Sequence, residues 1–424
     1  MSFNTGLSGL NAANTDMSVI GNNIANVGTI GFKTSRAEFA DMYLTSKIGS
    51  GAYCSNIYQQ MNGGNISGTG RDLDLAIDGQ GYFVLNNNGE TFYSRAGAFY
   101  TDNKGNIINS NGDKLQGYSI DGNGNIAYGN LTDLQVTSAS VKAKSTSKIG
   151  FAVSLDSNAK VIEKTVKGEN DIEKETFDPQ NPDTFNWSTN TTIFDSQGNK
   201  HNLTNYFVKR ANNQWEMYSL VDGRNPGNPA NADMPKPQVI EFDSKGELKS
   251  AKVIDLGKWI PAIKNGENWQ SNGTEEGNLS IDLTGSLQIN SEFGINSAGI
   301  KQDGYASGLL TKINIDADGK LFANFSNGQS RVVGQLALAT FANEQGLDAL
   351  SGNKWRATYA AGNPAVGVPN TGLAGKISAG ALEDSNVDLT AQLVKMIVAQ
   401  RNYQANAKTI ETESTLAQTI INLR

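Results

Sequence analysis

Apolar and small side chains recur at alternating steps of three and four residues at the two ends of this chain. The N-terminal series is Phe3, Gly6, Leu10, Ala13, Met17, Ile20, Ile24 and Val27. The C-terminal series is Leu389, Leu393, Met396, Gln400, Tyr403, Ala407, Ile410, Ser414, Ala417 and Ile421. Heptads sustained this long predict two helices, each asking for a partner along one seam. The seams are weak, because Gly6, Ala13, Ala407 and Ala417 bury little and Gln400 and Ser414 are polar. The C-terminal segment also carries apolar residues off its seam, at Val394, Ile397, Val398, Leu416, Ile420 and Leu423. A helix of that kind is satisfied by several neighbours at once. Two surface helices packed on their own domain are the plainer alternative.

Between the ends the period changes from helical to two. Leu73, Leu75 and Ile77 alternate, a turn follows at Asp78-Gly-Gln-Gly81, and Tyr82 to Leu85 runs on as a strand. Leu309 to Ile315 and Leu321 to Phe325 flank a second turn at Asp316-Ala-Asp-Gly319. Short alternating runs broken by Asp-Gly and Asn-Gly pairs predict hairpins. Proline divides this body: none of the nine precedes Pro179, and seven fall between Pro179 and Pro261, while four of the five tryptophans fall between Trp187 and Trp269. The expected fold is multidomain and mainly β, with discontinuous β domains nested between terminal α-helical coiled-coil segments. We expect residues 1–28 and 384–424 to form the helical domain and 29–70 with 370–383 a linker region. Residues 71–147 and 287–369 form a core β domain, and 148–286 an inserted outer β domain.

Composition narrows the function. The 424 residues carry a net charge of -7, which argues against nucleic acid or an anionic membrane as the main partner. No apolar run is long enough for membrane insertion. Neither a basic n-region nor an apolar h-region follows the start, so no cleaved signal peptide is expected. The only histidine, His201, falls in a strand expected over Asn199–Val208 and reads as a solvated or satisfied residue rather than a base. The only cysteine, Cys54, has no neighbouring base to lower its pKa, and its role is not legible. One His and one Cys exclude the usual zinc site. Gly122-Asn-Gly124-Asn-Ile-Ala127 has dinucleotide-motif lettering but leads into Tyr128-Gly-Asn130, with no helix to receive a pyrophosphate. Asn314 to Gly319 resembles the start of a calcium loop whose twelfth position is Phe325 instead of Glu. Catalytic, cofactor and metal sites are therefore not expected.

The stretch Ile20-Gly-Asn-Asn-Ile-Ala-Asn-Val-Gly-Thr-Ile-Gly-Phe-Lys33 reads as a helix C-terminus and a tight exit turn. Its Asn22, Asn23 and Asn26 fit either capping or hydrogen bonds to neighbouring chains. With Leu7-Ser-Gly-Leu-Asn-Ala-Ala-Asn14 it resembles the N-terminal signature of the bacterial flagellar rod and hook axial proteins, which includes Asn22, Asn23, Asn26, Gly31, Phe32 and Lys33. Ser385 to Thr390 and Met396 to Ala407 are similar to that family's C-terminal motif. Asp74 to Val84 and Ser94 to Phe99 are similar to its core β motifs.

Length, the Pro/Trp-rich insert and Gly346 to Trp355 resemble the hook members more than the shorter rod subunits. The resemblance implies a structural subunit that assembles helically with itself into a curved flexible tube, a universal joint carrying torque from rod to filament. It implies an extracellular location at the flagellar basal body and hook, with export by the flagellar type III apparatus and no cleaved signal peptide. Implied partners are other copies, the distal rod, the hook cap and the hook–filament junction proteins. The self-assembly residues would be Leu10, Met17, Ile20, Ile24 and Val27 on one helix. On the other they would be Leu389, Leu393, Met396, Tyr403, Ile410 and Ile421. Phe39 and Tyr43 fit either part of an export signal or a buried pair in the linker. Two other readings remain open: a rod subunit, and a β-rich binding module whose end helices only dimerise.

Overall fold

The computed structural model describes residues 2–422 except 43–48, 50, 123, 137–139, 168–172, 176, 231–232 and 266–267. It divides into two units, the first made of residues 1–139, 310–324 and 330–424 and the second of 140–309 and 325–329.

In the first unit, helix α1 (Ser2–Ala25) and helix α2 (Leu389–Asn422) bracket the body. The chain leaves α1 into an antiparallel ribbon in which Ser35–Asp41 pairs with Ala52–Gln59, with Phe39 opposite Cys54. The β body is built on one long sheet. Its central strands run in the order Gly308–Ile315, Lys320–Phe325, Ser330–Leu336, Lys114–Ser119, Tyr82–Asn87, Glu90–Ser94, Lys354–Ala357 and Leu347–Leu350. Leu75, Phe83, Leu85, Phe99, Ile107, Leu115, Leu321, Leu336 and Leu338 fill one core. Tyr82, Tyr93, Trp355 and Ala361 fill a smaller one on another side. Alternation along Tyr82 to Leu85 sends Phe83 and Leu85 to the first core and Tyr82 and Val84 to the second, so a strand buried on both faces reads as a continuous apolar run.

One turn chemistry recurs throughout the body. An Asp or Asn accepts hydrogen bonds from the amides two and four residues on, and a glycine sits third after it. Asp102, Asn109, Asp195 and Asp243 all do this. Their glycines 105, 112, 198 and 246 have φ between 79° and 88°, a region that a side chain strains. The calcium-like segment proves to be such a turn, with Lys320 donating its amide to Asp316.

The second unit joins an antiparallel sheet (Trp187–Phe194, Lys200–Ala211, Gln214–Val221, Gln238–Glu241) to two smaller mixed sheets. Between them lies an aromatic core that includes Phe207, Trp215, Trp259 and Phe242. The unit reaches wider than the stretch that proline and tryptophan mark. Residues 287–309 belong to it, because Leu287–Ile289 lies parallel to Val153–Asp156 and Lys301–Gln302 closes on Lys148–Gly150. His201 is buried rather than solvated: its Nδ1 lies 2.7 Å from Asp222, its Nε2 3.5 Å from Asp195, and Trp259 meets its ring edge-on.

Candidate functional site

The two helices pair antiparallel. Gly6 lies against Ile410, Gly9 against Asn406 and Gly21 near Met396, while Asn23 Nδ2 donates to Gln392 Oε1 at 3.3 Å. Glycine permits this approach, since a β-carbon on Gly9 would stand 2.6 Å from Asn406 Oδ1. On α1, Ile20 is buried, Leu10, Met17 and Ile24 are half-buried, and Val27 is exposed at the exit. Asp16 faces the same partner. Burial raises its carboxyl above the usual range, and Lys395 opposes the rise.

On α2 the seam is not the one expected. It runs through Gln392, Met396, Ala399, Asn406 and Ile410, with Tyr403 at its margin, so Met396, Tyr403 and Ile410 keep the expected face. Leu389 and Leu393 lie exposed, as does Ile421. The reason is on α1: Gly9 admits Asn406 and Asn23 donates to Gln392, so polar side chains hold seam positions that periodicity gives to large apolar ones. The displaced apolar residues make a separate face. Leu393, Val394, Ile397 and Val398 are between 48 and 58% exposed. Gly6 meets Ile410 and α1 starts at Ser2, so the end of α2 runs past the start of α1, and Ile420 and Ile421 are 69 and 72% exposed.

The Asn-rich exit is a joint. Asn26 caps α1 by donating to the carbonyl of Asn22, and Thr29 Oγ1 donates to Asn26 Oδ1. Asn23 holds Ser35 at both backbone groups, accepting from its amide at 2.9 Å and donating to its carbonyl at 2.7 Å. Gly31 has φ 69° and donates its amide to the carbonyl of Glu383. Phe32 is half-buried. Lys33 is 1% exposed and donates to Glu383 Oε1 at 2.6 Å and to the Asn62 carbonyl at 2.8 Å. Arg95 reaches Glu383 Oε2 at 3.1 Å from the other side. Asn386 Oδ1 accepts from both the amide and the hydroxyl of Thr34. Glu383 escaped the sequence reading, although a lone Glu after Ala381-Leu382 was the available signal, and Arg95 and Asn386 stood there only within the Ser94 to Phe99 and Ser385 to Thr390 motifs. Phe39 sits exposed on the ribbon, and Tyr43 lies outside the described residues.

Among the described residues no cluster of His, Cys, Asp or Glu could hold a metal ion, and no helix is long and apolar enough to cross a membrane. The Gly122 segment is a turn, with Ile120 bridged to Ile126.

A β body carried between paired terminal helices, with a small-residue seam and a polar joint, is the build of a flagellar axial subunit, and comparison with known families agrees at four places. Residues 3–33 match the family described as Flagella basal body rod protein, and 378–423 match Flagellar basal body rod FlgEFG protein C-terminal. Residues 76–162 match Flagellar hook protein FlgE/F/G D1 domain, and 154–305 match Flagellar basal body protein FlaE D2 domain. The chain is 38% identical to the flagellar hook protein FlgE of Salmonella typhimurium over all of both chains. It is 31% identical to that of Treponema pallidum over 99% of this chain and 98% of the other. The fold is similar to the crystal structure of Helicobacter pylori flagellar hook protein FlgE2, with TM-score 0.51 and 16% identity, covering 74% of this chain and 100% of that one. The chain belongs to the flagellar hook protein family. It is a structural subunit of the bacterial hook, and that family is not one of enzymes.

Proposed function

We propose that the chain assembles helically with copies of itself into a curved, flexible tube that passes torque from rod to filament. The observation that carries this reading is the exposed face Leu393, Val394, Ile397 and Val398 on a helix whose seam toward α1 is already occupied. Fully burying a side chain of this size contributes about 1.5–3 kcal/mol, of which a second copy would gain the roughly half still exposed. Leu10, Met17, Ile20, Ile24 and Val27 on α1, and Leu389, Leu393, Met396, Tyr403, Ile410 and Ile421 on α2, are the residues assigned to assembly. Seams of small and polar residues suit a tube whose contacts change length as it turns. The distal rod, the hook cap and the hook–filament junction proteins are the partners at its two ends. Export through the flagellar type III apparatus without a cleaved signal peptide completes the reading, with Phe39 and Tyr43 as candidates for its signal.

Electron microscopy of the full chain at high concentration, beside the variant V394N/I397N, tests it. Curved tubes from the parent and none from the variant are expected, with the same circular dichroism from both. Tubes of unchanged number from the variant would remove the exposed face from the assembly contacts.

A further inference from the structure

The sole histidine of the chain is buried between two carboxylates and stands closer to one than to the other. We propose that His201 is a pH-operated clasp in the second unit. Protonated, it ties the turn at Asp195 to the turn at Asp222; on losing its proton it keeps Asp222 and releases Asp195.

His201 lies on the strand Lys200–Ala211, with its imidazole against the edge of Trp259. Nδ1 is 2.7 Å from Asp222 Oδ2, a hydrogen-bond distance, whereas Nε2 is 3.5 Å from Asp195 Oδ2 and beyond that range. An imidazolium has two N–H donors and a neutral imidazole one. The shorter contact keeps that one proton on Nδ1, which leaves the Nε2 lone pair facing a carboxylate oxygen. Attraction on the Asp195 side then becomes opposition between two acceptors, in a site where water screens little. Asp195 does not need the imidazole to stay ionised. Its Oδ1 accepts from the amides of Gln197 and Asn199, and its Oδ2 from the side-chain amides of Asn199 at 2.9 Å and Asn272 at 2.7 Å. A third segment joins the clasp there, since the Glu275 amide donates to Ser196 Oγ at 3.1 Å. Asp222 is anchored separately: its Oδ1 accepts from the Asn202 amide, and its own amide donates to the Asn202 carbonyl, both at 2.8 Å. The other charges on these elements are turned outward or engaged. Lys200, Asp255 and Glu275 are exposed, Lys258 pairs with Glu276, and Arg224 stacks on Trp269. Burial favours the neutral ring, and the two carboxylates outweigh it and hold the proton above the usual histidine range. The clasp is therefore closed at low pH and opens on one side as pH rises through that raised value. All of these residues lie in the second unit, so the clasp is independent of how the chain ends are held.

Nitrogen NMR of the His201 ring and residue-resolved amide exchange, on the full chain from about pH 6 to about pH 9, provide the test. Exchange is read as protection relative to an unstructured chain at the same pH. As His201 loses its proton, the ring should settle with its hydrogen on Nδ1. The amides of Gln197 and Glu275 and the side-chain amide of Asn272 should then lose roughly tenfold in protection. The amides of Asn202 and Asp222 should keep theirs, and so should the control strand Gln214–Val221. In H201Q the loss with pH should disappear. Unchanged protection at Glu275 and Asn272 across the parent's titration would overturn the clasp. A neutral ring with its hydrogen on Nε2, or equal loosening at Asn202, would overturn the one-sided release. The same loss in H201Q would assign it to another group, and loss across Gln214–Val221 would make the opening global; either removes the proposal. The parent's ring and its exchange decide the matter even where H201Q fails to fold.

Discussion

Gly31 and Ala96 touch so closely that no side chain fits between them: a β-carbon on Gly31 would stand 2.6 Å from the backbone nitrogen of Ala96. The atoms it would meet, Ala96 N and Arg95 C, are main chain, and Gly31 already has φ 69°, so neither partner can give way. The exit from α1 is thus seated on the β domain by backbone shape as well as by charge. Gly31→Ala is expected to cost about 1–3 kcal/mol of docking free energy. Thermal unfolding followed by helix signal should show α1 loosening before the β core does.

The free end of α2 gives a second prediction. Gly6 meets Ile410, so the last turns of α2, with Leu416 and Ile420, extend past the start of α1. L416N/I420N should leave the subunit's circular dichroism unaltered and reduce tube formation as seen by light scattering. Normal tube growth would show that this end has no neighbour in the polymer.

His201 makes the second unit pH-sensitive. Burial alone would depress its pKa, but Asp222 and Asp195 more than offset this and hold it above the usual 6.5. A pKa raised in the folded state means stability fully present below about pH 6.5 and lost as pH rises through the folded value. The melting temperature of the second unit should therefore fall on going from pH 6 to pH 9. His201→Gln should flatten that slope, and a slope unchanged in the variant would assign it to another group.

Trp215 anchors the aromatic core of the same unit. It is fully buried, meets Phe293 edge-on and donates its indole N–H to Gln288 Oε1 at 2.8 Å. Trp215→Ala is expected to destabilise the second unit by about 3–5 kcal/mol, measured by denaturant unfolding. Exchange at the Lys33 joint should stay as it is.

The parts of this architecture that were legible in the sequence are those with local causes. Asp-Gly and Asn-Gly hairpins, the α1 seam and the capping Asn26 each depend on neighbours a few residues away. The α2 seam was displaced because periodicity weights large apolar residues, while Gly9 and Asn23 select Asn406 and Gln392. Residues 287–309 were assigned to the wrong side of a boundary because Leu287–Ile289, Gly294–Ile295 and Lys301–Gln302 pair with strands far back in the sequence, the first of them in parallel, and leave no turn signal between partners. The joint was half visible: Asn23, Gly31 and Lys33 stood out, but Glu383 and Arg95 become meaningful only when the ends meet. His201 hid for the same reason, its two carboxylates belonging to turns on either side of its strand.

Lys33 and Glu383 are 350 residues apart in a chain made from its N-terminus. The first charge of the joint is therefore made long before the carboxylate it pairs with. A product cut short just before residue 383 would keep the strands of the long sheet, which end at Ala357 and Gly367, and lack the carboxylate that Lys33 meets. The joint is thus closed by residues from the two extremes of synthesis, the leading helix's exit and the strand that precedes the last helix.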